Sequence, residues 1–382
     1  MLKRKFLVIS LLAATSVATI GCVQYTSAKK QQTPIKVIKD TKAITPPHII
    51  ASKVDIYEGI TGYDWLNEDK ILMTKENEKL EEVETAVGNF KVKNMFLYDL
   101  RTKESIGIHD QSKFQDGGIF APDRKHIFYR NQYQEQGAGY IIDENGNLTF
   151  EILDADMDPY DLSEAQWIND EEIIMPCSSI RGFAVINING TITKIKDVES
   201  GVMGTQDLLN GLSMPQPMKV GDKIYYTTIK SGSEENNKLR VYDIEKKDKK
   251  TLVTDEVLEF KVSPNQQQIL MTTFNSETYL NELILIDLEG QNRQVLAEGG
   301  IYGARWSKDG KNIAYISNEE GDKGIYLIEV ETNKKSLVSS GEYYIPMAWS
   351  PEGDKIMAHG KVAKKGENPF DEMDVTYIIS LK

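Results

Sequence analysis

From Trp65 onward, short apolar runs alternate with polar turns, and within each run apolar and polar side chains alternate with the period of two that marks a strand. "WSKDGKNIA", Trp306 to Ala314, and "WSPEGDKIM", Trp349 to Met357, write nearly the same phrase 43 residues apart. Its form is an aromatic or apolar residue, a turn, then an aliphatic residue. The same form recurs in "WLNEDKIL" from Trp65, "FAPDRKHIF" from Phe120, "WINDEEII" from Trp167, "MKVGDKIY" from Met218 and "VSPNQQQIL" from Val262. The aliphatic anchors are Ile71, Ile127, Ile173, Ile224, Ile269, Ile313 and Ile356, spaced 43 to 56 residues apart. Trp65, Trp167, Trp306 and Trp349 are all the tryptophans of the chain, and each holds the same place in the phrase.

Each phrase is followed by an apolar run that ends in a polar turn, such as "MFLYDLRTKE", "LILIDLEG" or "IYLIEVETN", and after six of these comes a third short run, such as "SIGIHD" or "SLVSS". A unit therefore reads as strand, tight turn, strand, loop, strand, turn, strand. In "SPEG", proline presets the first corner, the acidic residue suits the second, and glycine takes the positive-φ position. A single four-stranded sheet cannot bury both faces, but copies stacked around an axis can. The expected fold is all-β, a β-propeller of four-stranded blades with seven repeats counted. Because the Met218 phrase is one residue short, a six-bladed ring is the alternative. A β-sandwich gives no reason for tryptophan to return at one register. The seventh unit lacks a fourth strand, and an unpaired edge invites aggregation. "PIKVIKD", Pro34 to Asp40, and "HIIASKVDI", His48 to Ile56, are the two segments expected to supply it.

"WSPEGDKIMA" and "WSKDGKNIAY", each followed by an "IYLI"-type strand, resemble the repeats of TolB-like β-propellers. The resemblance is strongest in the last two units and extends over about residues 57–382. It implies protein–protein contact at a propeller face or channel and carries over no contact residue. Such propellers most often have six blades. Some peptidases fuse them to a hydrolase domain, for which no room remains after the last repeat here.

The N-terminus is of another kind. Lys3-Arg4-Lys5 precedes an uncharged apolar run from Phe6 to Ile20, too short to span a bilayer comfortably and read as an export signal, residues 1–21. The run closes on "ATIGC", which resembles the lipobox of bacterial lipoproteins, with Cys22 as the acylated residue and Thr19 in place of the usual leucine. Ordinary secretory cleavage with an incidental Cys22 is the alternative. Residues 22–34 read as the lipidated cysteine and a flexible polar tether, and 35–382 as a single propeller closed by an N-terminal strand. The expected location is the extracytoplasmic face of the cell membrane. Cys177, the other cysteine, alternates with Ile173 and Met175 and reads as a small buried hydrophobe, so no disulfide framework is expected.

The formal charge is −13, and removing the signal takes away three cations and no anion, leaving −16. That disfavours nucleic acid and anionic lipid as partners of the folded body. In "DADMDPYD", Asp154, Asp156 and Asp158 alternate as hard-cation ligands do, without the glycine and glutamate positions of an EF-hand loop. A solvated loop accounts for them as well, and calcium is the one cofactor they would favour. His48, His109, His126 and His359 lack metal-binding spacing, and no G-x-S-x-G elbow, phosphate loop or dinucleotide fingerprint occurs. The residue before each tryptophan position varies, with Asp64, Gln166, Lys261 and Arg305 as candidate binding residues at the channel mouth or, alternatively, as inter-blade ties. Two insertions, Lys75 to Asn94 and Asp197 to Met218, are candidate contact loops.

The expectation is a lipid-anchored scaffold that binds an envelope protein or ligand and is not an enzyme. The competing class is a metal-dependent channel enzyme of lactone or sugar chemistry.

Overall fold

The computed structural model describes residues 50–382 apart from 86–87, 110–113, 134–135, 154–158, 200–211, 231–233, 235 and 365–371. The ring has seven blades, each an antiparallel four-stranded sheet. Their innermost strands are Thr61–Asn67, Asp116–Phe120, Gln166–Trp167, Met218–Val220, Glu256–Val262, Ile301–Trp306 and Tyr344–Trp349. The short Met218 phrase builds a complete fourth blade, since Gly221 at φ 55° closes its turn, and the ring is seven-bladed. Among the described residues two small two-stranded sheets lie outside the blades, Val83–Thr85 with Gly88–Phe90, and Leu212–Ser213 with Ile229–Lys230. Among the described residues no helix is long and apolar enough to cross a membrane.

The seventh blade takes its outermost strand from the other end of the chain. Ala51–Glu58 pairs antiparallel with Glu372–Leu381, from Ala51 opposite Leu381 to Glu58 opposite Val375. Of the two segments expected to supply this strand, the His48 segment reaches it, and Pro34 to Asp40 lies outside the described residues. Cys22 and the tether lie outside them too.

The hydrophobic core is divided among the seams. Seven apolar clusters form, one between each pair of neighbouring blades. Leu72 and Met95 meet Ile127 and Tyr129 between the first two, and Trp65 and Ile71 meet Met357 and Ile378 where the last blade meets the first. All seven isoleucine anchors are fully buried. Burying a side chain of this size is worth about 1.5–3 kcal/mol.

The turn that precedes each anchor strand explains the rest of the phrase. Gly310 and Gly353 adopt φ of 70° and 77°. Arg124 and Gln266 hold the same left-handed corner at 65° and 56° in the units that lack the glycine. Ser263, Ser307 and Ser350 each accept, through Oγ, the amide that re-enters the second strand, from Gln268, Asn312 and Lys355 at 2.9, 2.9 and 3.1 Å.

The tryptophans tie blades together. Each indole Nε1 donates to a backbone carbonyl on the innermost strand of the preceding blade: Trp65 to Ala348 at 3.3 Å, Trp167 to Ile119 at 3.1 Å, Trp306 to Lys261 at 3.4 Å and Trp349 to Arg305 at 3.1 Å. Phenylalanine fills most of the same space without the donor. Trp349→Phe is expected to cost about 1–2 kcal/mol, the net value of one hydrogen bond plus some lost contact area. Urea titration of the single and the Trp167→Phe/Trp349→Phe variants checks this, and additive losses are expected because the two bonds lie in separate seams.

Candidate functional site

The four acceptor carbonyls belong to the residues that precede the repeat position in their own blades. Around the ring that level holds Asp64, Ile119, Gln166, Pro217, Lys261, Arg305 and Ala348. Where a tryptophan follows in the next blade, the backbone of this residue carries the tie, and the side chain is released for other work. Asp64 stands alone between Ala348 and Ile119, whereas Gln166, Lys261 and Arg305 make a polar sector interrupted only by Pro217.

The four residues singled out in the sequence do not act alike. Asp64 is an inter-blade tie: Oδ2 accepts the Phe120 amide at 3.0 Å and pairs with Arg124 Nη1 at 2.7 Å, while Oδ1 accepts the Trp65 amide at 2.8 Å. Lys261 and Gln166 meet across the channel. Lys261 Nζ donates to Gln166 Oε1 at 2.9 Å, from the fifth blade to the third, passing over the fourth. Gln166 Nε2 in turn donates to the Ala165 carbonyl at 2.8 Å. Arg305 stands beside them, with Nη1 on the Ala304 carbonyl at 2.8 Å and 3.3 Å from Glu259 Oε2.

Three residues that the sequence reading passed over complete the sector. Glu259 does for the fifth and sixth blades what Asp64 does for the first two, with Oε1 accepting the Ala304 amide at 3.1 Å. Glu164 accepts the Gln216 amide at 3.2 Å, and Gln216 Oε1 accepts the Phe260 amide at 3.3 Å. Glu259 lies two positions before Lys261 on the same strand, so period two was the available signal. Glu164 and Gln216 stand on the crossings that enter their blades, where no period marks them.

The electrostatics centre on Lys261. It keeps some surface open to the channel but is enclosed by protein. The loss of solvent, helped by the Arg305 cation and opposed by Glu259 and Glu164, pushes its ammonium down to about 8. An amine in this state is partly neutral just above neutral pH, which makes it a hydrogen-bonding group, a base or a nucleophile as well as a cation.

Away from the channel, a second polar centre is buried in the fourth blade. Glu199 is fully buried. Its Oε1 accepts from Tyr226 Oη and Arg240 Nη1, both at 2.8 Å, and its Oε2 from Lys230 Nζ at 2.5 Å and Lys249 Nζ at 2.9 Å. It is the third residue of the second insertion, whose residues 200–211 lie outside the described set. Cys177 is buried in the seam between the second and third blades, as its alternation implied. Asp154, Asp156 and Asp158 lie outside the described residues. Among the described residues no three His, Cys, Asp or Glu side chains are grouped as a metal ion needs.

Over 60 residues the chain is 38% identical to the Tol-Pal system protein TolB of Xanthomonas oryzae pv. oryzae, a stretch that covers 15% of this chain and 14% of that one. The blades are TolB-like. This chain therefore spans about a seventh of the length of the curated relatives it matches, and no family model matches it. Among solved structures, the TolB-like propeller superposes on oligogalacturonate lyase in complex with manganese at a TM-score of 0.57 and 10% identity, covering 88% of this chain and 98% of that one. An oligogalacturonate lyase from Vibrio parahaemolyticus gives 0.55 and 8%, covering 87% and 98%. At these identities the likeness is one of fold. It corrects one expectation. The absence of a familiar catalytic motif argued against an enzyme, yet the same propeller carries an enzyme in both lyases, so that absence does not exclude catalysis on a TolB-like ring.

Proposed function

We propose that this TolB-like propeller is an exported binding protein, held at the extracytoplasmic face of the membrane by acyl chains on Cys22, which receives a polar segment of an envelope protein in its channel. The observation that carries the proposal is the Lys261–Gln166 hydrogen bond across the channel, with Arg305 beside it. It places a desolvated cation and an amide where an entering carboxylate or backbone carbonyl can replace one partner for the other. The TolB relative is named as a protein of the Tol-Pal system, and action within such a system, through a protein partner, is the trait carried over.

A second reading rests on the same lysine. Pushed down to about 8, Lys261 has the neutral amine needed for proton transfer or nucleophilic attack, on a fold that oligogalacturonate lyase shares.

In-cell crosslinking and recovery of the intact chain tests the first reading, with a form lacking residues 1–22 and a Lys261→Met variant as comparisons. The expected result is one envelope protein enriched with the full-length chain and reduced roughly tenfold with Lys261→Met, which removes the charge at nearly constant volume. Binding of that partner by purified protein is expected to fall as pH rises through about 8, where Lys261 loses its proton, and not near 10.5. Recovery unaffected by Lys261→Met overturns the channel as the contact. Turnover of a small substrate that disappears in the same variant would move the assignment to the catalytic reading.

A further inference from the structure

A cavity of about 710 Å³ lies at the seam where the last blade meets the first. One wall is the start of the first insertion, Lys75 to Lys79. The other is the hairpin of Lys355–Ala363 and Glu372–Leu381, nine and ten residues long where the corresponding strands elsewhere have four to eight. The cavity is built at the end of the blades where Glu76 pairs with Lys93, away from the end where the repeat phrases turn.

On a chain of formal charge −13 this cavity carries cations to spare. Every carboxylate that lines it has an ammonium beside it: Glu76 and Glu78 share Lys91 at 3.4 and 3.1 Å, Glu372 has Lys361 at 3.7 Å, and Asp374 has Lys93 at 2.6 Å, with His359 Nε2 at 3.6 Å from its other oxygen, so that six lysines face four carboxylates. Three lining lysines have no carboxylate among the described residues. Lys75 donates to Ser105 Oγ at 2.7 Å and lies 4.7 Å from the Phe96 ring centroid, and Lys79 and Lys364 have no ion-pair partner. Lys75 and Lys79 stand on one wall and Lys364 on the other, so the uncompensated charge flanks the groove instead of gathering at one point.

We propose that this groove binds an extended polyanion, a polymer whose carboxylate or phosphate groups recur along the chain and meet Lys75 and Lys79 on one side and Lys364 on the other. The rest of the surface repels such a polymer, which confines binding to the groove and makes it steeply dependent on salt. The proposal is independent of the channel reading, because none of these lysines touches Gln166, Lys261 or Arg305.

The test uses the chain without residues 1–22, with inorganic polyphosphate as the phosphate probe, alginate oligomers as the carboxylate probe and neutral dextran as the control, followed by calorimetry at two salt concentrations. The Lys79→Glu/Lys364→Glu variant reverses two ammonium groups that make no ion pair, so the fold is expected to stay intact. A Lys247→Glu/Lys250→Glu variant makes the same change of net charge on the fourth blade. The expected result is binding of at least one polyanion and none of dextran, weakened on the order of tenfold or more in the groove variant and by much less in the control. Which polymer binds identifies the anionic group. Binding of neither polyanion, or equal losses in the two variants, overturns the proposal.

Discussion

A chain that begins at Gly59 is expected to melt roughly 10 °C or more below one that retains Ala51–Glu58, and to aggregate as it does so. The strand contributes little apolar burial, with Val54 and Ile56 exposed at 40% and 55%. What it supplies is the ladder against Glu372–Leu381. Without it that ten-residue strand becomes an open edge, and only Tyr57 and Ala51 are lost from the seam clusters. Each ladder bond is worth about 1 kcal/mol net. The control is a permuted chain. Ile50 and Lys382 already exchange backbone hydrogen bonds at 2.9 and 3.3 Å, so residues 50–58 can be re-attached after Lys382 through a two-residue Asn-Gly turn. Calorimetry should show the melting temperature restored. A truncated chain that melts with the intact one would show that the edge needs no cover.

Glu199→Gln is expected to lose about 3–5 kcal/mol, a fall in melting temperature of roughly 5–10 °C. The substitution keeps the shape but leaves Lys230 and Arg240, whose side chains are 16% and 7% exposed, without the charge that offsets their own burial. Lys249, 38% exposed, can turn to water, and Lys249→Ala should cost about 1 kcal/mol or less. The same carboxylate sets an acid limit. Burial alone would raise its pKa, but hydrogen bonds from Lys230, Lys249, Tyr226 and Arg240 outweigh it and hold the group at about 2, against 4.5 for an unperturbed carboxyl. The unfolded chain therefore takes up the proton first. Its stabilising effect is whole above pH 4.5 and is lost as pH falls from there toward 2. Urea midpoints at pH 3 and pH 6 should differ less in Glu199→Gln than in the unaltered chain. An equal difference would assign the acid sensitivity to other groups.

The architecture was legible because a propeller repeats its local physics. The isoleucine anchors, the serine and glycine of the turn and the tryptophan each answer a demand made once per blade, so seven weak signals add. Closure was legible in outline, since a third strand without a fourth asks for a partner, and a strand-like segment stood near the start. The polar sector was legible only as a position. Period and register mark the residue before Trp65, Trp167, Trp306 and Trp349, but they cannot tell that Asp64 would be consumed as an inter-blade tie while Lys261 crosses to Gln166. That distinction depends on which blades face each other over the axis, a contact between residues 95 apart. Glu199 gave no signal at all. It lies in a glycine- and methionine-rich insertion, and its partners Tyr226, Lys230, Arg240 and Lys249 come from four strands that follow it by 27 to 50 residues.

The pairing of Ala51–Glu58 with Glu372–Leu381 also fixes an order of events during folding. Six blades can condense from strands adjacent in sequence. The seventh waits for two distant stretches of chain to meet, and until they do the fold carries a solitary strand before its first blade and an incomplete sheet after its sixth. Two neighbouring chains in that state can exchange these pieces, each closing the other's ring. The hazard of entanglement is therefore greatest just before closure, and it rises with the local concentration of folding chains.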